Sequence, residues 1–114
     1  MTHHFRRFTR LIATFLVALS PLLAVAADPE VLLVIKNHRF EPSELLVPAN
    51  VRVKLVVHNQ DSTPEEFESH SLNREKVIPA GAKVTIYLGP LAPGRYDFMG
   101  EYHAATAKGS VVAK

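Results

Sequence analysis

The chain of 114 residues contains no cysteine and carries a formal net charge of +2, which excludes a disulfide scaffold and any chemistry that needs a thiolate. Arg6, Arg7 and Arg10 are the only charged residues of positions 1–27, so the remainder holds ten Lys/Arg against eleven Asp/Glu and is weakly acidic. No basic face is left to serve a nucleic acid, and none is expected as a partner.

The first 27 residues read as a secretory signal. A basic start, "MTHHFRRFTR", runs into the apolar stretch "LIATFLVALSPLLAV" and closes on the small-residue pattern "AVAA" before Asp28. That is the three-part design of an exported leader. A retained membrane anchor is the competing reading, and Pro21 with the small-residue ending argues against it. The paired arginines are a loose match to twin-arginine export, and ordinary secretion fits better. The expected organisation is a signal peptide over 1–27 and one domain over 28–114, placed in the periplasm. About 87 residues are enough for a modest core, which must hold by packing alone or with a bound metal.

From residue 28 onward the pattern is that of strands. "VLLVIK" is a β-branched run, and "FEPSELLVPAN" passes from a Pro turn into a short strand and out through a second turn. "VRVKLVVHN" alternates Val51, Val53, Leu55 and Val57 with Arg52, Lys54 and His58, the signature of a strand with one buried face. "KVTIYL" repeats it with Val84, Ile86 and Leu88, and "GSVVAK" ends the chain. "VPAN", "NQDSTP", "PAG" and "LAPG" supply the turn chemistry between them. No segment shows a helical stripe. The expected fold is all-β, an antiparallel sandwich or small Greek-key barrel. In "LAPGRY", Tyr96 follows a Pro-Gly turn as in the tyrosine corner of sandwich folds, and Phe98 shares its strand face.

Two stretches carry candidate chemistry. "PEEFES" holds Glu65, Glu66 and Glu68, and "GEYH" holds Glu101 and His103. Taken alone, three acids in four residues usually form a solvated face. On a strand, Glu66 and Glu68 point the same way and Phe67 the other. If Phe67 enters the core, that pair faces outward and Glu65 inward, and either arrangement offers metal donors. Carboxylates and imidazoles suit Cu(II), Fe(II), Fe(III) and Mn(II).

Three segments, "FEPSELLVPAN", "NQDSTPEEFES…VIPAG" and "PGRYDFMGEYHAATAKGSVVA", resemble in order and spacing the motifs of cupredoxins. The resemblance implies a cupredoxin-like Greek-key β-sandwich whose two ligand loops meet at one end. It also exposes departures from the blue-copper ligand set of two histidines, one cysteine and an axial methionine. Glu65 stands at the first histidine, Gly100 at the cysteine, His103 at the second histidine, and Thr106 and Ala107 near the methionine. A thiolate-dependent blue electron carrier is thereby excluded.

The variant motifs are most similar to the periplasmic cupredoxin-like domains of Efe- and Ftr-type iron-uptake systems, an EfeO-type pattern. That likeness implies copper as cofactor, and iron as substrate or second metal. Its implied partners are an iron permease and a membrane redox partner. It further implies a metal-handling part in ferrous iron oxidation, a possible copper-dependent ferroxidase. The candidate metal residues are His103, Glu66, Glu68, Glu101, Glu65, His38 and Met99. His38, before "RFEP", is placed to reach the same end of the sandwich. Met99 offers either a soft sulfur or ordinary packing. A copper or iron chaperone without redox activity, and a sandwich that has given up its site, are the competing readings.

Overall fold

A computed structural model describes residues 2–3, 11–20 and 27–114. The leader's arginines and most of its "AVAA" ending lie outside the described residues. Residues 11–20 form neither helix nor strand, and no helix among the described residues is long and apolar enough to cross a membrane.

Among the described residues, nine strands form two sheets: β1 (Glu30–Lys36), β2 (Arg39–Glu41), β3 (Glu44–Val47), β4 (Val53–Asn59), β5 (Glu65–Ser69), β6 (Arg74–Ile78), β7 (Lys83–Leu88), β8 (Gly94–Gly100) and β9 (Lys108–Ala113). One sheet has the order β2-β1-β4-β7 and the other β3-β9-β8-β5-β6. The β1/β4 and β3/β9 pairs are parallel and the rest antiparallel; β1/β2, β5/β6 and β8/β9 stay within one sheet and the other connections cross between the sheets. The only helical piece among the described residues is a 3₁₀ turn at Glu101–His103.

Alternation decides which side of each strand is buried. On β4, Val53, Leu55, Val57 and Asn59 are buried while the residues between them are half-exposed. Val51 precedes the strand and is exposed, so the alternating run begins two residues later than its sequence pattern expects. On β5 the buried set is Glu65, Phe67 and Ser69. Phe67 and Phe98 stack with centroids 5.0 Å apart, and Phe40 meets Phe98 edge-on at 4.9 Å. This aromatic group lies directly beneath the end of the sandwich that carries Glu65.

The turns also follow from local chemistry. Asn37 and His38 join β1 to β2 with φ of 53° and 56°. Two left-handed residues between paired strands make the hairpin turn whose twist matches the sheet. Tyr96 donates its hydroxyl to the Ala92 carbonyl at 2.7 Å, the tie expected of a tyrosine corner. Replacing Tyr96 with Phe removes that bond and little else, so Tyr96→Phe should lower unfolding stability by about 1 kcal/mol, read from a denaturant titration. An unchanged midpoint would show that the corner contributes nothing.

Candidate metal centre

Glu65 is 1% exposed and is the first residue of β5. A carboxylate there needs full hydrogen bonding, because burial removes its water. It has it. Oε1 accepts from the backbone N–H of Tyr102 at 2.9 Å and of Glu66 at 3.0 Å, and Oε2 lies 2.5 Å from His103 Nδ1. Oε2 and Nδ1 share one hydrogen, and the tautomer that carries it on Nδ1 leaves the Nε2 lone pair open. No buried side-chain nitrogen or oxygen among the described residues lacks a partner.

The carboxylate can enter because position 100 has no side chain. A Cβ on Gly100 would stand 2.6 Å from Ala107 Cβ, 2.7 Å from Glu65 Cδ and 2.9 Å from Glu65 Oε1. The Glu65 carboxyl thus lies against the backbone position that the cupredoxin pattern gives to cysteine. Gly100 donates its N–H to the Ala107 carbonyl at 2.8 Å, and Ala107 and Thr106 both donate to the His103 carbonyl, which closes the loop carrying the histidine.

His38 joins this centre from the other sheet. Its ring stacks on that of His103 with centroids 3.6 Å apart and planes inclined by 16°. Asp61 accepts the backbone N–H of Asn37 at 2.8 Å and of His38 at 2.9 Å, and its Oδ2 is 3.5 Å from His38 Nδ1. Thr106 Oγ1 donates to the His38 carbonyl at 2.6 Å. Loss of hydration pulls the Asp61 carboxyl up, but the N–H groups of His38 and Asn37, with the two imidazoles, outweigh it and hold the group below its ordinary value. Asp61 is itself fixed by Asn59, whose Oδ1 accepts the Asp61 N–H while Nδ2 donates to the carbonyls of Thr63 and Ile78.

The remaining acids lie on the outer face of the five-stranded sheet. Glu66 and Glu68 point away from Phe67, as alternation requires, and donor oxygens of Glu66, Glu75 and Glu101 lie within 4.8 Å of one another. Glu68 is opposite Glu75 across the β5/β6 hairpin. Glu66 is pushed up to about 7, first by a hydrogen bond shared with Glu75, then by lost hydration and the charges of Glu75, Glu101 and Glu68. Glu68 is raised in the same direction, chiefly by a hydrogen bond to Glu101. Tyr102 flanks this group and its hydroxyl is also raised, by lost hydration and then by Glu66.

The seven expected metal residues therefore divide. Glu65, His103 and His38 meet inside the end of the sandwich, and Glu66, Glu68 and Glu101 meet outside it. Met99 is opposite Glu68 in the β5/β8 register and is 40% exposed, so it belongs to the outer face and not to the imidazoles. His70 is exposed. Two members escaped the sequence reading. Glu75 is brought in by hairpin register, which sets it opposite Glu68. Asp61 sat inside a turn cluster, where an acid two residues after Asn59 reads only as a turn former.

Two predictions follow from the packing and the charge. Gly100→Ala should destabilise the fold by about 1–3 kcal/mol through overpacking. Combining it with Glu65→Ala should cost less than the sum of the two, because one clashing group is gone. Strict additivity in denaturant titrations would show that the carboxylate does not fill that space. For Glu66, the folded chain keeps a proton that the unfolded chain releases near 4.5. Its stabilising effect is then complete below that pH and disappears as pH rises through about 7. The unfolding temperature of metal-free protein should fall across this window, and Glu75→Gln should reduce the slope; an identical slope would remove Glu75 as the cause.

A family model for the cupredoxin-like domain matches residues 9–113. A Rickettsia prowazekii (strain Madrid E) protein, "Uncharacterized protein RP394", is 43% identical over 83 residues, 73% of this chain and 66% of that one, so the match spans just under two thirds of the relative's length. Auracyanin A, a "blue" copper protein from Chloroflexus aurantiacus, superposes with a TM-score of 0.66 at 14% identity over 77% of this chain and all of its own. The metal-binding domain of the Cu(I)-exporting P-type ATPase CopA of Streptococcus pneumoniae D39 does so at 0.62 with 15% identity, covering 75% of this chain and 84% of its own. The two-sheet order, the ligand-loop end and the family match agree: this chain is a member of the cupredoxin-like domain family, without the cysteine of a blue-copper site.

Proposed function

We propose that this chain is a periplasmic metal-binding component of an iron-uptake system, holding copper at His103 and assisting oxidation of ferrous iron before an iron permease takes it. The observation that carries the reading is the Glu65–His103 pair at the ligand end of the sandwich. A carboxylate on Nδ1 fixes the ring and leaves Nε2 for a metal, the arrangement typical of metal-bound histidine. His103 is 28% exposed at its side chain, so the ring's open edge is reachable.

The donor set fits copper or iron. Imidazole with nearby carboxylate suits Cu(II) and both iron states and disfavours Cu(I), whose preference is for soft sulfur. Copper, when bound, supplies a one-electron acceptor. The chain's own part is to hold Nε2 of His103 in place through Glu65 and to offer ferrous iron, as substrate, the hard oxygens of Glu66, Glu68, Glu75 and Glu101. These two groups are joined by the short turn Glu101–His103, which sets the inner and outer donors next to each other in the chain. Hard oxygen donors stabilise ferric over ferrous iron, which favours oxidation. A single copper accepts one electron, whereas reduction of dioxygen to water needs four, so a membrane redox partner is the natural acceptor.

Adding Cu(II) to the protein should give a specific EPR spectrum and raise the unfolding temperature, since a ligand of the folded state stabilises it. His103→Ala should lose both. One equivalent of Fe(II) added without oxygen should then quench the Cu(II) signal. A specific signal that survives Fe(II) would leave a metal carrier without redox activity. No specific signal would overturn the metal reading.

A further inference from the structure

We propose that His38 is a positioning residue of this metal centre, one that holds the His103 ring by stacking on its face and does not share its ion. The proposal rests on the reading of His103 as the copper ligand and adds what keeps that ring in place.

Ring geometry is the first observation. The two imidazoles stack with centroids 3.6 Å apart and planes inclined by 16°. A ring nitrogen's lone pair lies in the plane of its own ring, and a metal–imidazole bond of about 2 Å runs along it. In two stacked, near-parallel rings those directions run side by side and do not meet on one ion. What His38 offers His103 is its face.

That face supplies what the carboxylate leaves free. Glu65 Oε2 holds His103 at one ring atom, Nδ1. A single contact in the ring plane fixes one edge and leaves the ring free to tip about it. A flat partner at van der Waals distance opposes tipping. The two supports act at right angles, and the His103 side chain remains 28% exposed, which leaves an edge open to a metal. Outer partners that orient a ligand in this way raise its affinity for the ion.

His38 is itself built into place, and almost wholly through its backbone. Its φ of 56° is left-handed, in a hairpin turn that favours glycine at that place. Such outliers persist where the surroundings hold them, and they gather at functional sites. Asp61 accepts the N–H groups of Asn37 and His38, buried Asn59 fixes Asp61, and the Thr106 hydroxyl ties the His38 carbonyl to the loop of His103. The side chain adds only a 3.5 Å approach of Nδ1 to Asp61 Oδ2. The turn is therefore set without the imidazole, and the ring is left to the stack.

Exchanging the side chain at position 38 separates stacking from ligation. His38→Phe keeps a flat ring without a nitrogen, and His38→Asn keeps a residue that suits a left-handed turn without a ring. With one equivalent of Cu(II), pulsed EPR counts coordinated imidazoles through their remote nitrogens, and the unsubstituted protein should show one. His38→Asn should fold with undiminished stability and lose about 10–100-fold in Cu(II) affinity, whereas His38→Phe should retain the affinity and the spectrum. Two imidazoles in the unsubstituted protein, or a loss in His38→Phe equal to that in His38→Asn, would show that His38 acts through its nitrogen and overturn the proposal. Full affinity in His38→Asn would also overturn it, by showing that the stack contributes nothing, and would leave the His103 site standing. Absence of any specific Cu(II) spectrum in the unsubstituted protein would overturn both.

Discussion

One buried carboxylate organises the end of this sandwich. Glu65 fits because Gly100 has no side chain, and its three accepted contacts tie β5 to the turn that carries His103. Leaving a buried acceptor without one of its donors costs about 1–3 kcal/mol in general, so the contact constrains what surrounds it. The same packing explains the loss of the thiolate. A side chain at position 100 and the Glu65 carboxyl compete for one volume, and this sequence has settled on the acid.

The consequence for chemistry is a change of donor class. Without sulfur, the ligand end offers imidazole and carboxylate, donors that suit oxidised metal ions better than Cu(I). The strand that supplies the inner acid also supplies the outer ones. Alternation along β5 sends Glu65 to the core side and Glu66 and Glu68 to the surface, where Glu75 and Glu101 join them. Crowded carboxylates repel, and sharing a proton relieves the repulsion; a cation placed among them would do so as well.

The sandwich was legible in the sequence because its signal is local. Alternating runs, Pro/Gly turns and the Tyr96 corner each reside in a few consecutive residues, and Phe67 being apolar was enough to orient its strand neighbours. The site was legible only in part. Glu65, Glu66 and Glu68 could be sorted by face, but grouping them needed information that no local pattern holds. Glu75 meets Glu68 through hairpin register, Met99 falls on the outer face through β5/β8 register, and His38 reaches His103 from the opposite sheet. Asp61 binds backbone N–H groups 23 and 24 residues away. Gly100 read as a missing ligand, and its role as room for a carboxylate emerges only once β5 and β8 are paired.

The central claim is that Glu65 holds the His103 ring by Nδ1 and turns Nε2 outward. Nitrogen-15 NMR of the metal-free protein reads this directly from the imidazole shifts. The account predicts hydrogen on Nδ1 of His103, in a bond that Glu65→Ala removes. A ring carrying its hydrogen on Nε2 alone, or one whose shifts ignore Glu65→Ala, would contradict it.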